Sequence, residues 1–397
     1  MNLRNLDRAA MTAALAPFGI GAGGVGRLFS VVHRDGSAQI DDRTVRGLSK
    51  ASAQALARVT EWPDLEILER RRSADGFVKY LFRLPDGREI EAVRIPLPDP
   101  EAARALRESR RNGGVASLQA LPAAKYTLCV SSQVGCALAC DFCATGRLGG
   151  IRSLQTWEIL AQHRLVAAEA DHPVRGVVFM GMGEPFLNYE NVIRAGRILS
   201  DPAGAAIGAK AISISTAGIV PAIRRFTAEK HNFRLIVSLG APTTEQRRTL
   251  MPIENRWSLP ELMDAIRGYA TSSGQRVTIA YVAIGGVNTS PAHARALAGL
   301  LAGLKIKLNI IDVSDATGQY RPPTADELAA FRDALGALGA PVVRRYSGGN
   351  EIGAGCGTLS ASRSGGGLVA LGSAPPRLGA LADQIASGDG LPGQRHT

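Results

Sequence analysis

Cys136-Ala137-Leu138-Ala139-Cys140-Asp141-Phe142-Cys143 places three cysteines in a C-x3-C-x2-C spacing. Three thiolates on one short loop make a soft, tripodal metal site, because sulfur ligands select iron–sulfur clusters, zinc or cuprous copper over oxygen-preferring cations. A fourth ligand is missing nearby. Structural zinc usually closes a tetrahedron from two separated pairs, whereas an iron–sulfur cube held by three thiolates leaves one iron free. The spacing favours the cube, with zinc completed by a distant His or Cys as the alternative.

Outward from this loop the sequence alternates between strand and helix patterns. Residues 126–130 form a short strand leading into the cysteines, and 156–170 a helix. Strands at 176–180, 211–215, 233–238, 277–281 and 307–311 follow. They alternate with helices at 189–199 and 221–228, one begun by the capping box Ser258/Glu261, and others at 291–301 and 324–338. In the last of these Leu328, Phe331, Leu335 and Leu338 line one apolar stripe. Such alternation implies a parallel sheet with right-handed crossovers. Six units are too few for a closed eight-stranded barrel and fit an open (β/α)6 partial barrel, in which chemistry collects at the C-terminal ends of the strands.

Before the barrel, residues 2–60 are helix-like, with 44–59 the clearest helix and 19–26 a flexible break. Strands at 65–69, 77–82 and 90–95, joined by Asp75-Gly76 and Asp86-Gly87, read as a three-stranded meander. The expected organisation is an N-terminal accessory module at 1–96, a linker at 97–124, the core at 125–360 and a flexible tail at 361–397, with one short helix near 378–385. In the linker Arg104, Arg107, Arg110 and Arg111 fall near one face of a short helix that Asn112-Gly113-Gly114 ends, a solvated face or a phosphate contact.

Five cysteines in 41.7 kDa are no disulfide framework, and a thiolate cluster needs a reducing compartment, so the expected location is the cytoplasm. Residues 9–26 are uncharged but diluted by Gly and Pro, which argues against an export signal. No stretch supplies the about 20 apolar residues that span a bilayer. The net charge of +11 permits a polyanionic partner through counterion release without proving one.

Further candidates lie just after predicted strands. Gly181-Met182-Gly183-Glu184-Pro185 offers glycines that let backbone approach a ligand and a carboxylate that can accept from an ammonium. Ser215 ends the third strand and Ser238-Leu239-Gly240 the fourth. Two cysteines stand outside the cluster motif, Cys129 and Cys356.

The C-x3-C-x2-C loop resembles the signature of radical S-adenosylmethionine (SAM) enzymes, whose partial-barrel fold the alternation matches. Residues 127–136, the cysteine loop, Pro221, Ala241-Pro242 and Cys356-Gly357 closely resemble the RlmN and Cfr family of RNA adenosine methyltransferases, and the likeness covers about residues 65–359. The resemblance implies a [4Fe-4S] cluster on Cys136, Cys140 and Cys143. It implies SAM, two per turnover, held by Gly183, Glu184, Ser215, Ser238, Leu239, Gly240 and Ser314. It also implies a two-cysteine mechanism, since adenine C2 and C8 are electrophilic and carbon must arrive as a radical. Cys356 would carry the methyl group, Cys129 would release the product through a disulfide, and Glu91 would accept a proton from the covalent adduct.

The implied activity is methylation of adenosine C2 in 23S rRNA, with tRNA as a second substrate, by a cytoplasmic monomer served by an electron donor such as flavodoxin or ferredoxin. The alternatives are C8 or another heteroaromatic substrate, and, in a different class, a noncatalytic RNA-binding protein with a structural metal centre. The chain departs from the family pattern at Ser314, where Asn is expected, at Gly240, where His is expected, and in Gly349-Asn350-Glu351-Ile352-Gly353.

Overall fold

The computed structural model describes residues 1–41, 45, 47–111, 121–315, 317–345 and 347–361, with backbone alone at 106–111. Three helices come first: α1 (Arg8–Leu15), α2 (Ala22–His33) and α3 (Lys50–Val59). Leu15, Leu28, Phe29, Val32 and Leu56 close a small core of their own, which meets the rest of the protein at Ile198. The break expected at 19–26 is largely the start of α2, because burying Val25, Leu28, Phe29 and Val32 outweighs the helix-weakening glycines. The helix expected from 44 begins at Lys50, where Ser49 accepts the Ser52 N–H and caps it.

Strands β1 (Glu66–Arg72), β2 (Val78–Arg83) and β3 (Glu89–Pro98) form the expected antiparallel meander. Both turns carry a glycine with positive φ, Gly76 at 84° and Gly87 at 82°. Helix α4 (Pro100–Arg111) contains the linker arginines, of which the side chains of Arg107, Arg110 and Arg111, and the Asn112-Gly113-Gly114 stop, lie outside the description. Next, β3 pairs antiparallel with β4 (Ala123–Cys129), so the meander continues the barrel sheet and shares its hydrophobic core.

A short hairpin, β5 (Gln133–Gly135) with β6 (Gly150–Ser153), brackets the cysteine loop and the four-residue α5 (Ala144–Arg147). The alternation then runs α6 (Thr156–Glu169), β7 (Val174–Phe179), α7 (Tyr189–Ser200), β8 (Ile212–Thr216), α8 (Val220–Ala228), β9 (Arg234–Ser238), α9 (Thr244–Leu250), α10 (Leu259–Ser273), β10 (Val277–Ala283), α11 (Pro291–Leu301), β11 (Ile306–Asp312), α12 (Ala325–Ala334) and β12 (Val342–Arg345). The capping boxes at Ser258/Glu261 and Thr324/Glu327 form as read from the sequence. The sheet order is β1-β2-β3-β4-β7-β8-β9-β10-β11-β12, parallel from β4 onward.

The six expected units are present, and β12 adds a seventh parallel strand. Its Val342-Val343-Arg344-Arg345 lacks the apolar alternation that marks a strand in sequence, yet it pairs in register with β11 from Leu308 to Ile311. Among the described residues no single helix is long and apolar enough to cross a membrane. The tail from 362 onward, including the helix expected at 378–385, lies outside the described residues.

Candidate active site

The cysteine loop leaves β5 and returns through β6, so its shape is set by the closeness of that hairpin. Gly135 has φ 71°, and a β-carbon there would sit 1.9 Å from the Gly149 carbonyl oxygen. The Cys136 N–H donates to that same oxygen at 2.8 Å. Ala139, between the first two cysteines, adopts φ 51°, a left-handed conformation that a residue with a β-carbon seldom takes. The Asp141 N–H donates to Leu250 O at 3.0 Å, docking the loop on the end of α9. On the other side Asp141 accepts from Gln319 Nε2 at 2.9 Å and from the Tyr320 hydroxyl.

Burial pushes the Cys136 and Cys140 thiols well up, and neighbouring cysteines of the same loop push them further. Mutually repelling buried thiolates form only with cationic compensation, which iron supplies, so the donor set fits a cluster. Among the described residues no three His, Cys, Asp or Glu side chains close on a single ion's position. A cubane does not need them to, since each thiolate takes a different iron. Beneath the loop the guanidinium of Arg247 favours the Cys140 thiolate.

The Gly181–Pro185 turn packs directly on the segment after β4. β-Carbons at Gly181 and Gly183 would lie 2.6 Å from Val130 O and 2.5 Å from Gln133 Cβ, so both positions demand glycine. Glu184 is fully buried, and its carboxylate accepts the N–H of Phe186 at 3.0 Å and of Ala217 at 2.8 Å. It therefore ties the ends of β7 and β8 together, with a further hydrogen bond from the Thr216 side chain. Burial pushes this carboxyl up to about 7 despite those hydrogen bonds.

Ser215 and Ser238 sit at the C-terminal ends of β8 and β9, and the Leu239 side chain is buried in the core. Gly240 has φ 74°, and a β-carbon there would lie 2.4 Å from Met251 Sδ. Met251 thus fills the space a larger residue would need, and it accounts for glycine in place of the family's histidine. The other two departures meet each other. Ser314 Oγ donates to Asn350 Oδ1 at 3.0 Å, and a β-carbon at Gly355 would strike both. This pair seats the loop that carries Cys356.

That loop brings the second thiol to the cluster. Ala144 N–H donates to Gly357 O at 2.7 Å and Thr145 Oγ1 to Leu359 O at 2.6 Å, joining the cysteine loop to the segment after Cys356. Cys129, at the end of β4, and Cys356 pack with Met180 on one apolar cluster of Val178, Ile236, Ala280 and Ile311. Both are free thiols. Burial and the neighbouring Cys356 push the Cys129 thiol up to about 12, opposed by Arg345 and by the Met180 N–H.

Arg345 shares a face with Ile311, its register partner, and its Nη1 lies 3.2 Å from Met180 Sδ. Arg345→Met is accordingly expected to slow alkylation of Cys129 severalfold at pH 8, since the thiolate is the nucleophile. Peptide-mapped mass spectrometry reads this, and an unchanged rate would exclude an electrostatic role for Arg345.

Glu91 lies on β3, fully buried, with Oε1 2.9 Å from Lys79 Nζ and Oε2 accepting the Ser360 N–H at 2.9 Å. The fold thus brings Cys129, Glu91 and Cys356 to the same wall as the cluster loop. Lys79, Arg247 and Arg345 are the residues sequence reading missed. Lys79 looks like one more strand cation, and no spacing marks Arg247 or Arg345.

Fold and loop together define a radical SAM enzyme, and the family described as Radical SAM superfamily matches residues 130–297. A Myxococcus xanthus protein named probable RNA methyltransferase is 50% identical over 367 residues, 92% of this chain and 96% of its own. The dual-specificity RNA methyltransferase RlmN of Syntrophotalea carbinolica is 41% identical over 288 residues, 72% of this chain and 70% of its own. A crystal structure of a radical SAM methyltransferase from Sphaerobacter thermophilus superposes with a TM-score of 0.78 at 36% identity, covering 91% of this chain and all of that one. The chain belongs to the RlmN/Cfr family of radical SAM RNA methyltransferases.

Proposed function

We propose that this protein methylates C2 of an adenosine in 23S rRNA, with tRNA as a second substrate, through a methyl group carried on Cys356. What supports the reading is the meeting of two thiols 227 residues apart, Cys129 and Cys356, on one apolar cluster beside the cysteine loop. A lone structural metal site has no use for such a pair. RNA as substrate agrees with the names of the relatives and with the net charge of +11.

Cys136, Cys140 and Cys143 would hold the [4Fe-4S] cluster, which together with SAM would supply the methyl group and the hydrogen-abstracting radical. Cys356 accepts the methyl group as its thiolate. Ser314 and Asn350 keep its loop seated, and both half-buried thiols pack on the same apolar cluster. Product release falls to Cys129: its sulfur attacks Cys356 Sγ, the S–S bond forms, the sulfur–carbon bond breaks, and the electron pair leaves with the carbon, which takes a proton. A thiol reductant then restores both cysteines. The radical adduct carries one electron in excess, which the cluster would take back, and its ring proton goes to Glu91. Gly183, Glu184, Ser215, Ser238, Leu239 and Gly240 would border SAM, an electron donor would dock near the cluster, and the enzyme would work as a cytoplasmic monomer.

The test is anaerobic reconstitution with methyl-labelled SAM and protein-free large-subunit rRNA, read by mass spectrometry. Wild type is expected to carry a methyl group on Cys356 and to deliver label to adenosine C2, and Cys356→Ala to do neither. Cys129→Ala is expected to retain RNA as a covalent adduct. Methylated Cys356 with unlabelled RNA would overturn the substrate. Neither signal with an intact cluster would overturn the mechanism.

A further inference from the structure

Glu91 and Lys79 form an ion pair whose side chains are 0% and 6% exposed, at 2.9 Å. Burying two charges costs desolvation that their attraction barely returns, so stability alone gives little reason to keep the pair. Its position offers another. Glu91 faces Lys79 from β2, the Ser360 N–H from the Cys356 loop and, further off, the charge of Arg71 on β1, whose guanidinium pairs with Glu69 at 3.0 Å. A β-carbon at Gly353 would lie 3.2 Å from Lys79 Nζ. The same loop docks on the meander through Gly349 N–H to Asp75 Oδ2 and Ala74 N–H to Glu351 Oε1, both 3.0 Å. The pair therefore sits in the joint between the meander and the segment presenting the methyl-carrying thiol.

We infer that Lys79 is a positioning residue for proton removal from the adduct, holding Glu91 as an aimed carboxylate and returning it to that form after each transfer. The inference rests on the two-cysteine reading. In the step concerned, the C–H bond at the substituted ring carbon breaks, its electron pair stays in the ring, and the proton moves to a Glu91 oxygen. The neutral acid leaves the Lys79 ammonium without its counter-ion in a dry site, which favours passing the proton on to solvent.

The experiment follows covalent protein–RNA adduct in single turnovers of full-length reconstituted enzyme between pH 6 and 9. Variants are Lys79→Met, Lys79→Arg, Glu91→Gln and the Lys79→Met/Glu91→Gln double. Methylation of Cys356 without RNA serves as the control for fold and cluster. Glu91→Gln is expected to slow adduct decay roughly 100-fold and Lys79→Met about tenfold. Lys79→Met should also change the shape of the pH profile, which a merely structural role would leave as in wild type. Lys79→Arg should restore the wild-type profile, and the double variant should decay no more slowly than Glu91→Gln alone.

A wild-type profile in Lys79→Met would overturn the inference, as would effects that multiply in the double variant. If Lys79→Met fails to fold, the double variant, which removes both charges, and Lys79→Arg carry the same comparison. Wild type without methyl-Cys356 would sink the two-cysteine reading and the inference with it, whereas methylated wild type with an indifferent Lys79→Met sinks the inference alone.

Discussion

Replacing Arg247 by methionine is expected to lower the unfolding free energy by about 3–5 kcal/mol, the usual consequence of stranding a buried charge. Arg247 and Glu254 are both 0% exposed and directly hydrogen-bonded. The remaining guanidinium donors reach Leu239 O at 3.1 Å and Ala217 O at 2.6 Å, the loops just beyond β9 and β8. Glu254 also accepts the Leu259 N–H at 2.8 Å. Methionine fills much of the volume but removes the guanidinium donors of Leu239 O, Ala217 O and Glu254, and leaves that buried carboxylate without its counter-charge. Against a typical total of about 5–15 kcal/mol the loss is large. Anaerobic urea unfolding of the cluster-free protein reads it, and Arg247→Lys, which keeps the charge and loses the fork, should fall between. A midpoint equal to wild type would mean that the pair closes nothing.

The second large effect is a stability that falls as pH rises, and its origin is Glu184. Burial pushes its carboxyl from 4.5 up to about 7. Between those values the folded chain binds a proton that the unfolded chain has released, so stability decreases with pH across that window. At 1.36 kcal/mol per unit the span is worth about 3 kcal/mol. The contribution is fully present below pH 4.5 and gone above pH 7. Glu184→Gln should flatten the difference between pH 5 and pH 8 in urea midpoints. Under the proposed role of Glu184, SAM should raise the midpoint more at pH 8 than at pH 5, because its ammonium favours the carboxylate. Equal slopes in wild type and variant would assign the pH dependence elsewhere.

Much of this site was legible in the sequence because its residues announce themselves by spacing. Cys136, Cys140 and Cys143 are close in sequence and need only a loop, and Gly181–Pro185 follows a strand at the distance a barrel requires. The strands and helices of the barrel could be read because apolar spacing marks their buried faces and capping boxes mark the starts of α10 and α12. Arg247, Lys79 and Arg345 could not, since each acquires meaning from partners on other elements: Glu254 and two strand-end carbonyls, Glu91, and Cys129. Gly240 and Ser314 read as departures in one dimension. In three, Met251 and Asn350 explain them. The misjudged stretch at 19–26 shows the converse, where local glycine preference lost to the burial of α2.

Strand β12 and its loop, which deliver Cys356, are also the last part of the core to leave the ribosome. Cys129 precedes Cys356 by 227 residues, about 10–45 s of synthesis at ordinary elongation rates. Throughout that interval the growing chain holds the cysteine loop and one thiol without the other. Under the proposed mechanism a half-made enzyme lacks the sulfur that would accept the methyl group. In that mechanism the order of synthesis would act as a safety catch on a radical reaction.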